Sequence, residues 1–411
     1  MQRREYSGSR MRILLIAYIT LLLAAIFVVS EGALAQTGSP DRRSSNRITS
    51  ALQPFVDSHC LAGAVTVVAD KNQVLDVEAV GFADVAAGRP METNSIFWIA
   101  SMSKPITATA LMMLVDDGKV KLDDPVARYL PEFAGVRFMV VDKENKHVNL
   151  QSPSHRITVR NLLSHTAGLQ ATSAIESPTL DVFPLTTRVQ SYVLMPLKFE
   201  PGTSYSYSNA GINTVGRIIE VVSGMPFAEF LKTRLFNPLG MKDTTFWPSK
   251  NQVARLAKSY RPNDDGTGLE ETRITQLHYP LDDPKREPIP AGGLFSSAAD
   301  LVRFCQMILN EGVFHGKRIV SANAVRQMTS KQTGSAISAE YGFGWDTSGG
   351  VFGHGGAYAT NMTIDAKSGL IMIYLVQHAG FPRNGSISKE TFQKEAREEF
   401  GAISHRSPPQ L

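Results

Sequence analysis

A stretch from Trp98 to Lys119 reads WIASMSKPITATALMMLVDDGK, with a serine and a lysine three residues apart where a long apolar segment begins. Pro105 indicates a helix that starts near Ser101, because proline is tolerated in a first turn, where its missing N–H is not needed. On a helix, Ser101 and Lys104 share one face, with Cβ atoms roughly 5–6 Å apart. The amine can therefore act on the hydroxyl.

A serine at a helix N-terminus is favoured as a nucleophile, since free N–H groups and the positive end of the dipole stabilise developing negative charge. Lys104 would have to give up its proton first, and at a usual pKa of about 10.4 this costs about 4.6 kcal/mol at pH 7. Burial and a second cation can supply most of that free energy. We therefore expect a third group beside the pair.

A candidate for that group lies in EPGTSYSYSN, residues 200–209, where a Pro-Gly turn leads into a cluster of aromatic and hydroxyl side chains before a helix. A phenol beside a lysine ammonium loses its proton more easily, and the two then share one proton. Tyr207 would take the proton from Ser101 and return it to a leaving group. The alternative from these residues alone is a tyrosine that only packs before a helix.

A third element is VFGHGGAY, residues 351–358, an extended run with three glycines around His354. Glycines weaken a strand and often mark close approach by a ligand. A ligand along this edge would meet His354 and a backbone N–H near Ala357. A glycine-rich bulge with a structural histidine is the alternative.

The rest of the chain predicts an α/β (α+β) fold, in which an antiparallel sheet is flanked by helices and a mostly helical subdomain is inserted. Apolar runs at 63–69 and 73–80 flank a turn and indicate a hairpin. Short turns, such as residues 366–369, join the later strands, which favours antiparallel pairing. We expect residues 48–100 and 288–400 to form the α/β part and residues 101–287 the helical part.

Individual elements follow from periodicity and capping signals. A short helix is expected to run to about Cys60, and a capping box at residues 297–300 is expected to open a later helix. The expected helices are Pro105–Asp117, Val159–Ala167, Ala210–Ser223, Phe227–Leu235, Leu301–Asn310 and Ser388–Phe400, and the expected later strands are Tyr341–Trp345, Val351–His354, Asn361–Asp365 and Leu370–Gln377.

Four arginines precede an apolar run from Ile13 to Val29, which is typical of a secretory signal over residues 1–35, cleaved before Gln36. Met11 is an alternative start, and an uncleaved membrane anchor is the alternative to cleavage. We expect a periplasmic or secreted protein with a polar linker at 36–47 and a tail at 401–411. Removal of residues 1–35 takes away four arginines and two glutamates, so the formal charge falls from +4 to +2, and no nucleic-acid partner is indicated.

Other patterns of reactive side chains give weaker evidence of a function. Ser386 and Lys389 repeat the S-x-x-K spacing, but they follow a polar turn and predict an ordinary helix cap. Cys60 and Cys305 are expected to be buried free thiols, with a single disulfide as the alternative. The sequence has no G-x-S-x-G or H-E-x-x-H motif, and the histidines show no metal spacing, so neither a metal nor a cofactor is expected.

The chain resembles one superfamily in the order and spacing of three motifs. They are Ser101-Met102-Ser103-Lys104, Tyr207-Ser208-Asn209 and His354-Gly355-Gly356, and their first residues are 106 and 147 residues apart. The superfamily is that of the serine β-lactamases and penicillin-binding proteins, in the branch with class C β-lactamases, D-alanyl-D-alanine carboxypeptidases and family VIII esterases. The likeness spans about residues 48–400. Supporting stretches are ITVRNLLSHTAGL (157–169), NPLGM (237–241), AGGLFSS (291–297) and YGFGW (341–345).

This resemblance implies that Ser101 is the nucleophile of an acyl-enzyme, while Lys104 and Tyr207 share the base and acid work. It also implies that Asn209 holds the substrate and Lys104 by hydrogen bonds. The backbone N–H groups of Ser101 and Ala357 would form the oxyanion hole.

The third motif is expected to bind substrate through His354, Gly355 and Gly356. In β-lactamases it usually reads Lys-Thr-Gly, so the chain lacks the fixed cation that would hold a substrate carboxylate. His165, in a family stretch without a catalytic role, is expected to be structural.

The preferred hypothesis is a serine hydrolase that acts on a small ester or peptide amide. A D-alanyl-D-alanine carboxypeptidase or class C-like β-lactamase is one alternative. A non-catalytic protein that binds peptidoglycan fragments or β-lactams is another. The sequence does not indicate an oligomeric state.

Overall fold

A computed structural model describes residues 46–141 and 148–401. The expected signal peptide at residues 1–35, most of the expected linker and residues 402–411 of the expected tail lie outside these ranges. The α-helices are α1 Arg47–Asp57, α2 Ser103–Asp116, α3 Val159–Leu163, α4 Leu185–Tyr192, α5 Asn209–Ser223, α6 Phe227–Leu231, α7 Asn237–Leu239, α8 Lys250–Ala254, α9 Ala298–Leu309, α10 Ala322–Met328 and α11 Ser388–Phe400. A π-helical turn, Lys232–Phe236, links α6 to α7. Within the described ranges, no helix is both long enough and apolar enough to cross a membrane.

The strands are β1 Gly63–Ala69, β2 Val74–Asp84, β3 Arg89–Pro90, β4 Ile96–Trp98, β5 Phe138–Val141, β6 Val148–Gln151, β7 Ser259–Pro262, β8 Leu269–Thr272, β9 Phe295–Ser297, β10 Val313–Phe314, β11 Lys317–Arg318, β12 Phe352–Gly355, β13 Asn361–Asp365 and β14 Leu370–Leu375. Within the described residues, six of them form a sheet in the order β12-β13-β14-β1-β2-β3. All of its pairs are antiparallel, as the sequence predicted.

Strand β14 (LIMIYL) shows why this sheet is central. Its residues are all buried, and they alternate between two faces. Met372 and Tyr374 pack with residues of α1 and α11, whereas Ile371 and Ile373 join a larger core with residues of α2 and α9. A strand covered on both faces reads as a continuous apolar run, and α11 covers one face, as expected.

Two short strands position the segments around Ser101. β4 ends just before Ser101, and it pairs with β9, which follows the loop at residues 288–294. Ile99 continues this pairing by donating its N–H to the Leu294 carbonyl at 3.0 Å. α2, which starts at this point, is buried on nearly all sides, as its mostly apolar sequence predicts.

Several expected elements differ in the structure. Residues 341–345 do not form a strand: Tyr341 makes an isolated bridge with Asp346, and residues 343–345 form a bend. Gly344 takes a left-handed φ of 75°, which an extended strand does not allow. The helix expected over Val159–Ala167 ends at Leu163, since His165 has a φ of 59°. The capping box does not form, because the Asp300 carboxylate accepts from Asp243 N and Thr244 Oγ1 instead.

Hairpins β5–β6 and β7–β8 within residues 101–287 were not expected from the sequence. The two cysteines are free and buried, so the expectation of free thiols is confirmed and the disulfide alternative is wrong.

Candidate active site

Ser101 lies in a tight turn between β4 and α2. Ala100 has a left-handed φ of 44°, which is unusual for a residue with a side chain and marks local strain. A 3₁₀ turn, Ala100–Met102, then runs directly into α2, so the helix starts close to where it was predicted. In the part of the chain that the structure describes, the Ser101 N–H has no protein acceptor and stays available to a ligand.

Lys104 lies one turn along, and none of its surface is exposed. Its Nζ lies 2.9 Å from Ser101 Oγ and donates to the Ala291 carbonyl at 2.7 Å. Burial lowers the pKa of Lys104 well below its usual value, which favours the neutral amine. Among the described residues no carboxylate forms an ion pair with it, and burial lowers this pKa without a contribution from a second cation.

Tyr207 reaches the same place from the segment before α5. Lys104 Nζ lies 4.7 Å from the centre of its ring, and its phenol hydrogen-bonds with Ser101. Burial raises the pKa of Tyr207, and the hydrogen bond with Ser101 acts in the opposite direction. The expected lowering of this pKa is therefore wrong: 38% of the residue stays exposed, but its hydroxyl lies among buried groups and keeps its proton.

His165 holds the Tyr207 segment from behind. Its Nδ1 accepts the Ser208 N–H at 3.2 Å, and its ring centre lies 4.6 Å from that of Tyr207 and 4.7 Å from that of Tyr341. Burial lowers the pKa of His165 well below its usual value. A neutral His165 that packs against Tyr207 agrees with the structural role expected for it.

His354, on β12, is also buried and is neutral. Its Nδ1 donates to the Gly355 carbonyl at 2.7 Å, so Nε2 accepts from the Tyr341 hydroxyl at 3.0 Å. Burial lowers its pKa to about 4, so the imidazole carries no charge near neutral pH. Both ring nitrogens have protein partners, and a contact between His354 and substrate stays a prediction.

The two glycines after His354 bring the backbone close to Ser101. A Cβ atom on Gly356 would lie 2.6 Å from the Ile99 carbonyl oxygen, so only glycine allows this approach. Gly355 and Ala357 are exposed, and among the described residues the Ala357 N–H has no protein acceptor. Free N–H groups of Ser101 and Ala357 thus lie on neighbouring segments, as an oxyanion hole requires.

Asn209 is the first residue of α5, directly after the cap Ser208, which accepts the Gly211 N–H at 3.1 Å. Its Oδ1 is buried without a hydrogen-bond partner among the described residues. The hydrogen bond expected between Asn209 and Lys104 is absent from the described contacts; Lys104 binds the Ala291 carbonyl instead.

The hydrogen bond from Lys104 to the Ala291 carbonyl was not predicted from the sequence. Ala291 lies in AGGLFSS, a stretch that was noted for its resemblance but was given no role, and backbone carbonyls leave no signal in side-chain patterns. The structure thus brings together a hydroxyl, a neutral amine, a phenol and two free N–H groups. Such a set can attack a carbonyl carbon and stabilise the resulting oxyanion.

Known proteins resemble this chain over most of its length. Protein Rv1367c of Mycobacterium tuberculosis is 31% identical over 361 residues, which cover 80% of this chain and 88% of that protein. Esterase EstB of Burkholderia gladioli is 28% identical over 359 residues, covering 78% of this chain and 86% of EstB.

Among solved structures, EstCE1, described as a hydrolase with promiscuous acyltransferase activity, aligns with a TM-score of 0.72 at 23% identity. The alignment covers 87% of this chain and all of EstCE1, and shows that the two share a fold. The beta-lactamase family matches residues 48–390. The chain therefore belongs to the beta-lactamase family, a family of serine hydrolases.

Proposed function

We propose that this protein is an esterase that hydrolyses small, uncharged carboxylic esters through an acyl-enzyme on Ser101. The observation that carries the proposal is the buried Lys104 amine, without a carboxylate partner among the described residues and 2.9 Å from Ser101 Oγ. A neutral amine at that distance is a base ready to accept the hydroxyl proton.

In the first half of the reaction, Lys104 takes the proton of Ser101 while Oγ attacks the ester carbonyl carbon. The oxyanion accepts hydrogen bonds from the N–H groups of Ser101 and Ala357. Tyr207, a protonated phenol, donates its proton to the alkoxide oxygen of the leaving group as the bond between that oxygen and the acyl carbon breaks. Tyr207 then recovers a proton from the Lys104 ammonium. An alcohol leaves, and the acyl group stays on Ser101.

In the second half, water attacks the acyl carbon and its proton passes to the neutral Lys104, with Tyr207 as the relay. When the second tetrahedral intermediate collapses, the bond to Ser101 Oγ breaks and Oγ regains a proton from Lys104. The carboxylic acid leaves, and each group returns to its starting protonation state.

An uncharged substrate fits the electrostatics of the site. A β-lactam and a D-alanyl-D-alanine peptide both carry a carboxylate. In the position where β-lactamases have a lysine, this chain has His354, whose pKa of about 4 leaves it neutral. The similarity to a relative named esterase EstB supports an ester as the substrate.

Three substrates distinguish the candidate activities: p-nitrophenyl butyrate, nitrocefin and a D-alanyl-D-alanine peptide. We expect turnover of the ester, and we expect Ser101→Ala to abolish it. Ser386→Ala is a matched control, because Ser386 belongs to the second S-x-x-K motif but is exposed at the far end of the chain.

Ester turnover that survives in Ser101→Ala would refute the acyl-enzyme. Preferential turnover of nitrocefin or of the peptide would assign the protein to the β-lactamase or carboxypeptidase activity instead. If wild type neither hydrolyses nor is labelled covalently by any of the three compounds, a binding protein is the better description.

A further inference from the structure

A set of polar side chains, Glu176, Arg188, Tyr192 and Asn213, lies buried behind the candidate active site, and we call it the buried network. Each of these residues exposes 4% of its surface or less. Glu176 and Arg188 form a buried ion pair at 3.8 Å. A buried ion pair adds little to the stability of a protein, since replacing it by apolar residues of similar volume often leaves the protein at least as stable.

The contacts inside the network fix the orientation of the Asn213 amide. Its Nδ2 donates to Tyr192 Oη at 2.9 Å and to Glu176 Oε1 at 3.3 Å. Both of these partners can accept, and Tyr192 in turn donates to Glu176 at 2.7 Å. The amide oxygen of Asn213 must therefore point the other way, where it accepts the Ala291 N–H at 3.0 Å.

That N–H belongs to a peptide group held from both sides. On its other side the Pro290 carbonyl accepts from Thr107 Oγ1 at 2.7 Å. Arg188 donates to the Pro288 carbonyl of the same loop, and Trp98 Nε1 donates to the Gly292 carbonyl at 2.8 Å. The loop is thus fixed on both sides of Ala291, whose own carbonyl accepts from Lys104.

We propose that Asn213 is a positioning residue: by holding the N–H of Ala291, it fixes the Ala291 carbonyl that orients the Lys104 amine toward Ser101. A neutral amine has two N–H bonds and one lone pair. When one N–H is held by the Ala291 carbonyl, rotation about the Cε–Nζ bond is restricted, and the lone pair is kept toward the Ser101 hydroxyl. The inference rests on the proposed function, in which Lys104 is the base.

Asn213→Ala tests this, with Thr214→Val as the matched control. Thr214 is the next residue and is equally buried, and among the described residues its hydroxyl donates to the Ala210 carbonyl of its own helix and to no group near Ala291. We expect Asn213→Ala to lower kcat for p-nitrophenyl butyrate by about tenfold or more, with KM within about twofold, because misplaced reacting groups slow the chemical step. The concentration of active sites is titrated with a fluorophosphonate and used to calculate kcat, so that a loss of folded protein does not lower the measured kcat.

Thr107→Val covers the case in which Asn213→Ala does not fold, because it releases the other side of the same peptide group while keeping the side-chain shape. We expect it to lower kcat by about threefold or more, again with KM unchanged. If Asn213→Ala and Thr107→Val both match Thr214→Val in kcat per active site, the proposal is overturned.

The rate at which the fluorophosphonate labels Ser101 separates this inference from the proposed function. Labelling needs an activated Ser101 but not ester turnover. If wild type labels without hydrolysing esters, the proposed function fails, and slower labelling of Asn213→Ala still supports the positioning role. Equal labelling of the two proteins, or no labelling of wild type, overturns it.

Discussion

Gly356→Ala gives the sharpest test of the oxyanion hole. A methyl group there would lie 2.1 Å from Thr360 Oγ1 and 2.6 Å from the Ile99 carbonyl oxygen. The threonine hydroxyl can rotate away, but the carbonyl belongs to the backbone that leads into Ser101. To reach an ordinary contact of about 3.4 Å, the two segments must separate by about 0.8 Å.

A separation of that size moves the Ala357 N–H relative to the Ser101 N–H. Donors in an oxyanion hole act at roughly 2.7–3.1 Å, so a shift of about 0.8 Å removes most of one hydrogen bond to the oxyanion. We expect kcat for p-nitrophenyl butyrate to fall by about 10²–10³, equivalent to about 2.7–4 kcal/mol of transition-state stabilisation. The overpacking should also destabilise the fold by about 1–3 kcal/mol.

Gly355→Ala is the control, one residue earlier, at the end of β12. A Cβ atom there would meet its nearest neighbour, the Thr360 carbonyl oxygen, at 3.7 Å, which is an ordinary contact. Steady-state kinetics below the melting temperature of each variant separate catalysis from folding. If Gly356→Ala retains the kcat of Gly355→Ala, then Ala357 does not donate to the oxyanion, and the proposed geometry is wrong.

Further predictions concern burial. Lys104→Met should reduce ester turnover by about 10²–10⁴. It should leave the free energy of unfolding equal to that of wild type or higher, because it removes a buried amine that has no counter-ion in the described structure. The control Lys389→Met, which loses an ion pair with Glu390, should retain activity. A Lys104→Met variant that is less stable than wild type would contradict this expectation. Burial also lowers the pKa of His354 and of His378 to about 4. From pH 6.5 down to 4 the unfolded chain binds more protons than the folded one, so stability should fall with pH by up to about 3 kcal/mol per histidine in urea melts, and His378→Gln should reduce that slope. A slope equal to that of wild type would contradict this.

The centre of the sheet was predictable because β1 and β14 are continuous buried runs of mostly apolar residues. β13 and the last helix, Ser388–Phe400, have the predicted boundaries. The hairpins β5–β6 and β7–β8 were missed, since strands of four residues such as LEET lack the apolar alternation on which a sequence-based prediction depends. The box at residues 297–300 failed for another reason: partners distant in sequence took the Asp300 carboxylate.

In the site, the sequence pointed to side chains with reactive groups and missed the contacts that orient them. Lys104 and Ser101 are three residues apart, so helix geometry alone brings them together. Lys104 and the Ala291 carbonyl are 187 residues apart, and Asn213 is 78 residues from Ala291. Contacts of that range are set by how the helices and the loop at residues 288–294 pack, and no local pattern encodes them.

The direction of the pKa shifts was predictable for only part of the site. Every ionisable side chain around Ser101 whose pKa is shifted moves toward its uncharged form, and burial is the main cause in each case, for Lys104, His165, Tyr207, Tyr341 and His354. The burial that would make Lys104 the proposed base therefore also leaves these residues without a charge to offer a substrate. An anionic substrate would lose its hydration and meet no opposite charge among them, at a cost of several kcal/mol, whereas an ester gives up far weaker hydration. The proposed activation of the nucleophile and the proposed preference for an uncharged substrate thus have one physical cause.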